Sequence, residues 1–90
     1  MVRKEKPTKI FDGDTFLTNR RLIPVRLDGV DTPEKREPGY KEAKKALEDL
    51  IKNKEVTIKT VARDKYRRPL VQAKVGNQSV NKAMEKYKKK

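Results

Sequence analysis

In the middle of this chain the spacing of apolar residues changes from strict alternation to a helical period, and the alternation then returns. Five segments alternate apolar and polar residues, which is typical of short, half-buried strands. We therefore predict strands at Thr8–Phe11, Thr15–Thr18, Leu22–Leu27, Glu55–Val61 and Leu70–Val75. Between the third and the fourth, we predict an amphipathic helix of about 14 residues from Gly39 to Asn53. Its apolar face consists of Tyr40, Ala43, Leu47, Leu50 and Ile51.

The order of these elements predicts the fold. A short second helix, Val80–Lys88, follows the last strand. Five short strands with a helix between the third and the fourth are the element order of an OB-type barrel. The predicted class is α+β and mainly β: a five-stranded OB-type Greek-key barrel, with one amphipathic helix packed across it and a short C-terminal helix. Pro24 lacks a ladder donor, so we expect it at a sheet edge or a bulge.

Length and charge set the scale of the molecule and its class of partner. The 90 residues predict a single domain over 1–90, with residues 1–7 and 86–90 as flexible basic tails. Lys and Arg number 25 against 13 for Asp and Glu, a net charge of +12. This excess predicts attraction to polyanions, with nucleic acid first and an anionic membrane surface second. A solvated, lysine-rich surface would explain the same composition.

The residue types that are absent exclude whole classes of site. The chain contains neither Cys nor His, which excludes disulfide frameworks, zinc fingers and Ser-His-Asp or Cys-His triads built from this chain alone. Catalysis would have to use carboxylates, Arg, Lys, Tyr, hydroxyls or a hard metal ion. No apolar run approaches the ~20 residues of a membrane-spanning helix, and no signal peptide is recognisable. We expect a cytoplasmic protein, or a secreted one if a leader has been removed.

Two segments concentrate acidic residues. The first is Asp12–Thr15, where an Asp-Gly pair is by itself typical of a hairpin turn. The second is Arg26–Glu34, which places further acids just after a strand. If the fold brings Asp14, Asp31 and Glu34 together, their repulsion requires a cation to offset it. Oxygen ligands of this kind suit Ca²⁺ or Mg²⁺ rather than zinc or copper.

A third segment, Arg63–Pro69, combines basic residues with an aromatic one. Three arginines and a lysine stand beside Tyr66 in the predicted loop between the last two strands. Basic side chains next to an aromatic ring suit phosphate contacts combined with packing against a base or a sugar. Taken alone, this segment is equally consistent with an ordinary charged loop.

Four segments, DGDT, VRLDGVDTPE, DKYRR and SVNKAM, occur here in the order and approximate spacing of a known family. Over about residues 8–85 the chain resembles the staphylococcal nuclease-like (thermonuclease) family. The resemblance implies an OB-type barrel and a Ca²⁺-dependent endonuclease of the micrococcal nuclease type. Its substrates would be single-stranded or loosened DNA and RNA, cleaved to leave 3′-phosphate ends. We expect DNA and RNA as partners, no membrane association and a monomer.

The resemblance also implies a role for each matching residue. The carboxylates of Asp14 and Asp31 and the main-chain carbonyl of Thr32 would bind Ca²⁺, with Asp12 as a supporting acid behind them. Three side chains would be catalytic, Glu34 as general base and Arg26 and Arg68 as the groups that grip the scissile phosphate. The adjoining phosphate and nucleotide pocket would be lined by Lys65 and Tyr66.

Two departures from the family bear on these expectations. The family usually has Gly where Arg67 stands and often a small residue where Pro69 stands, so we expect a different loop shape here. A non-catalytic nucleic-acid-binding OB-fold module is the alternative function, and a generic basic OB-fold protein is a third. The nuclease is favoured because all five main positions are occupied: Asp14, Arg26, Asp31, Glu34 and Arg68.

Overall fold

The computed structural model describes residues 2–89, which form seven strands, two α-helices and a final 3-10 turn. The strands are β1 (Val2–Glu5), β2 (Pro7–Ile10), β3 (Thr15–Thr18), β4 (Val25–Leu27), β5 (Val56–Arg63), β6 (Pro69–Val75) and β7 (Gln78–Ser79). The helices are α1 (Tyr40–Ile51) and α2 (Val80–Met84), and the 3-10 turn is Glu85–Tyr87.

The strand order forces the sheet to curl into a barrel. Neighbouring strands follow the order β1-β5-β6-β4-β3-β2, and β7 pairs with β6. Only Lys6 separates β1 from β2, yet these strands lie at opposite ends of that order. The two ends of the sheet must therefore meet at Lys6. The pairing of β4 with β6 is parallel and the other pairings are antiparallel. This topology confirms the predicted OB-type α+β class.

The strand count differs from the predicted five for two reasons. The first predicted strand extends toward the N-terminus and is divided at Lys6, and the two-residue β7 was not predicted. The expectation of a flexible tail over 1–7 is wrong for Val2–Glu5, because this segment pairs with β5 and Glu5 lies opposite Val56. The tail expected over 86–90 begins inside the 3-10 turn, and the Lys89 amide donates to the Asp31 carbonyl at 2.9 Å. Met1 and Lys90 lie outside the described residues.

The third predicted strand is shorter than its apolar pattern indicates. Only Val25–Leu27 of the predicted Leu22–Leu27 forms β4. Leu22 is fully exposed and Ile23 is 54% exposed, because the chain is still turning between β3 and β4 at these positions. Pro24 directly precedes β4, a position that needs no ladder donor.

Helix α1 packs its apolar face on the open side of the curled sheet. It begins after Gly39, whose φ of 88° favours glycine, and ends before Asn53, whose φ is 62°. The predicted bounds are therefore correct to within two residues. Within residues 2–89, no helix is long and apolar enough to cross a membrane. The core between helix and sheet consists of Phe16, Val25, Leu27, Val30, Ala43, Leu47, Ile51, Val56, Ile58, Val71, Ala73, Val80 and Met84.

One buried amide joins α2 to the sheet. The Asn81 side chain accepts the Ala73 N–H at 2.9 Å and donates to the carbonyls of Val71 at 2.9 Å and Asp28 at 3.0 Å. Asp28 immediately follows β4, so this contact fixes the start of the loop that carries Asp31 and Glu34. The predicted SVNKAM segment thus has a structural role in positioning that loop.

A buried ion pair holds β1 against the turn after β3. Both Glu5 carboxylate oxygens accept from Arg21, Oε1 from Nε at 2.8 Å and Oε2 from Nη2 at 3.0 Å. The Thr18 hydroxyl adds a bond of 2.6 Å to Oε1. Glu5 is 2% exposed, so this carboxylate depends on its partners for the hydrogen bonds that water would otherwise provide.

We expect Glu5→Gln to lower the free energy of unfolding by about 1–3 kcal/mol, because Arg21 and Thr18 lose a charged acceptor. Urea denaturation at pH 7 measures the change. Lys4→Gln is the control, since Lys4 is exposed on the same strand and its replacement should cost less than about 0.5 kcal/mol. Equal losses in the two variants would contradict the structural role of the pair.

The same pair makes stability depend on acid. Burial acts to raise the pKa of Glu5, but the hydrogen bonds from Arg21 and Thr18 and the Arg21 charge outweigh it and hold the pKa below its ordinary value of 4.5. A carboxyl with a lowered folded-state pKa stabilises the fold above its unfolded-state pKa, and this contribution is lost as pH falls through the folded-state value. The difference between the native protein and Glu5→Gln should therefore be complete at pH 7 and shrink below about pH 4.5.

Candidate functional site

The turn between β2 and β3 buries the carboxylate of Asp14. Its Oδ1 accepts the Thr15 hydroxyl at 2.8 Å, and its Oδ2 accepts the Thr32 N–H at 3.1 Å. The main-chain carbonyl of Asp14 accepts the Leu27 N–H at 2.8 Å. Asp14 is 4% exposed and therefore connects this turn, the end of β4 and the loop after β4 in one fixed arrangement.

Gly13 makes this arrangement sterically possible. A Cβ at this position would lie 2.7 Å from Thr32 Oγ1 and 2.8 Å from the Ala43 Cβ. The φ of Gly13 is not positive, in contrast to Gly29, Gly39 and Gly76. The Asp-Gly pair predicted a turn, and the structure shows that the glycine is needed for close approach to α1 and the Thr32 loop.

The guanidinium of Arg26 lies between two of the predicted acids. Its Nη2 is 3.0 Å from Asp31 Oδ1 and 3.6 Å from Asp14 Oδ2. The Asp31 side chain is 59% exposed, so one end of this cluster opens to solvent. The fold thus brings together three predicted site residues from the two acid-rich segments of the chain.

Negative charge is crowded around Asp12. Its Oδ1 accepts the Asp14 N–H at 3.0 Å. Burial, followed by the neighbouring Asp14 carboxyl, raises the pKa of Asp12 to about 7. At neutral pH the Asp12 carboxyl is therefore only partly ionised, which reduces its repulsion with the neighbouring carboxylate.

The donor atoms in this cluster suit a hard cation. Thr32 is fully buried, and its Oγ1 is the one buried side-chain polar atom among residues 2–89 that has no hydrogen-bond partner. No group of three acidic side chains within residues 2–89 forms a ready metal cluster. Two carboxylates with an arginine cation between them, together with main-chain oxygens nearby, are nevertheless a set of hard oxygen donors that already holds positive charge.

Glu34 lies on an exposed loop beside this cluster. Its N–H donates to Glu37 Oε1 at 2.6 Å, and the Glu37 N–H donates to the Glu34 carbonyl at 2.9 Å. Glu34 and Asp12 are both among the residues that line a shallow groove. Among the described residues it forms no ion pair with Arg26 or with another cation.

The sequence analysis missed two residues that order the Glu34 loop. Lys89 donates its main-chain N–H to the Asp31 carbonyl at 2.9 Å, and its Nζ lies 3.5 Å from Glu37 Oε1. The Glu34 N–H, ahead of a smaller effect of Lys89, lowers the pKa of Glu37. No local sequence signal connects Glu37 with Lys89, because 52 positions separate them.

The loop between β5 and β6 is organised by Asp64. Its Oδ1 accepts the main-chain N–H groups of Tyr66 at 2.8 Å and Arg68 at 2.9 Å, and its Oδ2 accepts Arg68 Nε at 2.6 Å. Partial desolvation acts to raise the pKa of Asp64, but the hydrogen bonds from Arg68 and Tyr66 outweigh it and lower the pKa. Asp64, which was not predicted as a site residue, thus fixes the direction of the Arg68 side chain.

The predicted substrate-contacting residues share this loop. Tyr66 is 68% exposed, and its ring centroid lies 5.2 Å from Lys65 Nζ and 5.6 Å from Arg68 Cζ. Among the described residues, Arg68 forms no salt bridge with the acids around Arg26. The pairing of β4 with β6 nevertheless places Arg26 near the end of this loop. Arg26 lies opposite Leu70, two residues after Arg68.

Two arginines near the site have left-handed backbones. The φ angle is 66° at Arg67 and 79° at Arg36, and such values are uncommon for residues other than glycine. Arg67 thus adopts a left-handed conformation that glycine would adopt without strain. Both arginines lie in the loops that carry the predicted site residues, where strain of this kind tends to concentrate.

Comparisons with known proteins find one matching family and several similar proteins. A family model described as "Staphylococcal nuclease homologue" matches residues 24–87, a range that contains every predicted site residue except Asp12 and Asp14. An "Uncharacterized endonuclease" of Haemophilus influenzae is 38% identical over 81 residues, which are 87% of this chain and 46% of that protein. A "Micrococcal nuclease" of Shigella flexneri is 39% identical over 64 residues, 69% of this chain and 37% of that protein. The chain spans less than half the length of these curated relatives.

We expect Arg67→Gly to raise the free energy of unfolding by about 0.5–1 kcal/mol. Relief of the left-handed strain, about 1–2 kcal/mol, should exceed the entropic cost of introducing a glycine. Thermal or urea unfolding measures the change. Arg20→Gly is the matched control, because Arg20 is exposed and its φ is not positive. That variant should lose stability, and a loss at both positions would show that Arg67 is not strained.

Proposed function

Because the chain belongs to the family of staphylococcal nuclease homologues, we propose that it cleaves the phosphodiester bonds of nucleic acids as a Ca²⁺-dependent endonuclease. The observation that carries the proposal is the position of Arg26, 3.0 Å from Asp31 and 3.6 Å from the buried Asp14. This contact concentrates phosphate-binding and cation-binding groups at one place on the surface. The net charge of the chain is +12. A generic basic OB-fold protein would have no use for a cluster of acidic side chains in such a chain.

The substrate is DNA or RNA, with single-stranded or loosened regions preferred. An exposed aromatic ring flanked by cations, as at Tyr66, can stack on an unpaired base while Lys65 meets the adjacent phosphate. Base pairing would hide the face of the base from such a ring. The active form proposed is a monomer, since all of the site residues come from one chain.

The two arginines bind the scissile phosphate. Asp64 engages Nε of Arg68, which leaves its terminal nitrogens to bind phosphate oxygens. Arg26 shares one terminal nitrogen with Asp14 and Asp31. The planar guanidinium matches two phosphate oxygens at once and offsets the negative charge that builds on them during attack.

Glu34 is proposed to act as the general base. A water oxygen attacks phosphorus from the side opposite the 5′ oxygen, and Glu34 takes a proton from that water. The bond between phosphorus and the 5′ oxygen breaks, the 5′ oxygen gains a proton from solvent, and the phosphate remains on the 3′ end. The exposed loop around Glu34, ordered by Glu37 and Lys89, leaves its carboxylate accessible to water.

The carboxylates of Asp14 and Asp31 and the carbonyl of Thr32 are proposed to hold Ca²⁺, with Asp12 as the supporting acid. When bound, Ca²⁺ would supply further positive charge for the phosphate and lower the pKa of a nearby water. The raised pKa of Asp12 supports this proposal, because acids crowded by burial gain from an additional cation.

Cleavage of single-stranded DNA and RNA should require both Ca²⁺ and Glu34. We expect Glu34→Gln to lower kcat about 100- to 10,000-fold with little change in substrate affinity, because it removes a base and not a binding group. Gel assays with Ca²⁺, and with excess chelator, measure the rate. Glu55→Gln removes the same charge from an exposed position outside the site and should leave the rate unchanged. Binding without cleavage in any divalent metal would instead assign the chain to non-catalytic nucleic-acid-binding modules.

Millimolar Ca²⁺ should raise the melting temperature, because a ligand of the folded state stabilises it by mass action. At a concentration of 100 times Kd the gain is about 2.7 kcal/mol, or roughly 10–20 °C for a domain of this size. Asp31→Asn should abolish the shift, whereas Asp49→Asn, the same change on the exposed face of α1, should retain it. An unchanged melt of the native protein, or a retained shift in Asp31→Asn, would contradict the proposed ligands.

A further inference from the structure

A shallow groove between β2 and the start of α1 is lined in part by Glu34, the proposed general base. Two aromatic residues and the acids Asp12 and Glu34 are among its lining residues. We name it the Phe11–Tyr40 groove, and the residues used in the argument are Lys9, Phe11, Asp12, Glu34, Tyr40 and Lys44. None of its lining residues comes from the β5–β6 loop that carries Tyr66.

The two rings form one ordered unit. Phe11 is 36% exposed, a large apolar surface for a residue next to a buried turn. The Tyr40 hydroxyl donates to the Phe11 carbonyl at 2.9 Å and thereby joins the first turn of α1 to the end of β2. The Phe11 main chain is held again by its N–H, which donates to the Thr15 carbonyl at 3.0 Å. The main chain that carries the partly exposed Phe11 ring is therefore held at two points.

Each ring has a lysine beside it. Lys9 Nζ lies 5.0 Å from the Phe11 centroid, and Lys44 Nζ lies 5.8 Å from the Tyr40 centroid. Tyr66 in the β5–β6 loop has the same kind of partners, Lys65 and Arg68. A ring with a cation beside it, which suits a base and its phosphate, thus occurs in the groove and in the β5–β6 loop, and it occurs again at Tyr87, where Lys86 Nζ lies 5.4 Å from the ring centroid.

The sheet order separates the two aromatic–cation groups. Strands β4 and β3 lie between β6 and β2, so the groups are three strand spacings apart, roughly 14 Å along the sheet. Successive phosphates of one DNA strand rise about 3.4 Å in a duplex and lie further apart in an extended strand. A single nucleotide therefore does not reach from Tyr66 to Phe11. A short single strand that crosses the acid cluster around Arg26 does.

We propose that the Phe11–Tyr40 groove binds a second nucleotide of a single-stranded substrate, on the Glu34 side of the scissile bond. The base stacks on Phe11, and Lys9 and Lys44 contact its phosphate. The proposal rests on the proposed nuclease function, which identifies the ligand as a nucleic-acid strand.

The test measures base stacking separately from phosphate binding. Fluorescence anisotropy in excess chelator compares a labelled oligothymidylate with an abasic deoxyribose-phosphate oligomer of equal length, and gels check that both probes remain intact. We expect Phe11→Ala to weaken oligothymidylate binding about 5- to 50-fold and abasic binding less than twofold, because only the former loses a stacked base. Lys9→Gln should weaken both probes equally and reduce the salt dependence by about one phosphate contact.

Three controls keep the result specific. Phe11→Leu keeps the apolar volume without a flat ring and should lose the same discrimination as Phe11→Ala, whereas Phe11→Tyr should retain it. Leu22→Ala removes a fully exposed apolar side chain from the turn after β3 and should change neither affinity. The proposed nucleotide site would be rejected if Phe11→Leu weakened the binding of both probes equally, or if it did not weaken the binding of oligothymidylate.

The groove and the nuclease proposal can fail separately. Discrimination by Phe11 in a protein that binds but never cleaves would support the groove and reject catalysis. Ca²⁺-dependent cleavage with no Phe11-dependent discrimination would support catalysis and reject the groove. Absence of binding to either probe would reject the groove as well.

Discussion

The burial of the Asp14 carboxylate is the interaction on which the rest of the site depends. A buried charge must be hydrogen-bonded, and here the partners come from the next residue, Thr15, and from Thr32 on another loop. Its carbonyl binds the end of β4 as well. Gly13 permits the close approach, since a side chain there would collide with Thr32 and Ala43. The positions of Arg26, Asp31 and Glu34 relative to one another follow from this contact between segments.

Two ion pairs in the molecule differ in how far their carboxylates are buried, and therefore in whether a ligand can reach them. Glu5 is almost completely buried, and both of its carboxylate oxygens accept hydrogen bonds from Arg21. This pair therefore connects β1 to the rest of the barrel and is not accessible to a ligand. Asp31 is more than half exposed, and it shares the Arg26 guanidinium with Asp14. A ligand that brings its own charge can rearrange the second pair at low cost, because solvent already reaches one partner.

The barrel supplies rigid positions, and the loops at the strand ends carry most of the predicted site residues. Acids come from the β2–β3 turn and from the loop after β4, and the cations with their aromatic ring come from the β5–β6 loop. Local polar contacts hold each loop: Asp64 with Arg68 in one, and Glu37 with Lys89 in another. The proposed second nucleotide position uses the same logic, since the Tyr40 hydroxyl fixes the end of β2 against α1.

By itself the sequence determined the order of five of the seven strands and of the two helices, the bounds of α1 to within two residues, the class of fold and the family. These features depend on local apolar periods and on short motifs, which are visible along the chain. Only the tertiary structure decided that the charged segment Val2–Glu5 is a strand, that apolar Leu22 is exposed, and that Gly13 is needed for space. It alone brought Arg26 between Asp14 and Asp31 and joined Tyr40 to Phe11. The physical reason is that these outcomes depend on contacts between distant segments, 29 positions apart for Tyr40 and Phe11, and a local pattern carries no record of what a side chain will meet.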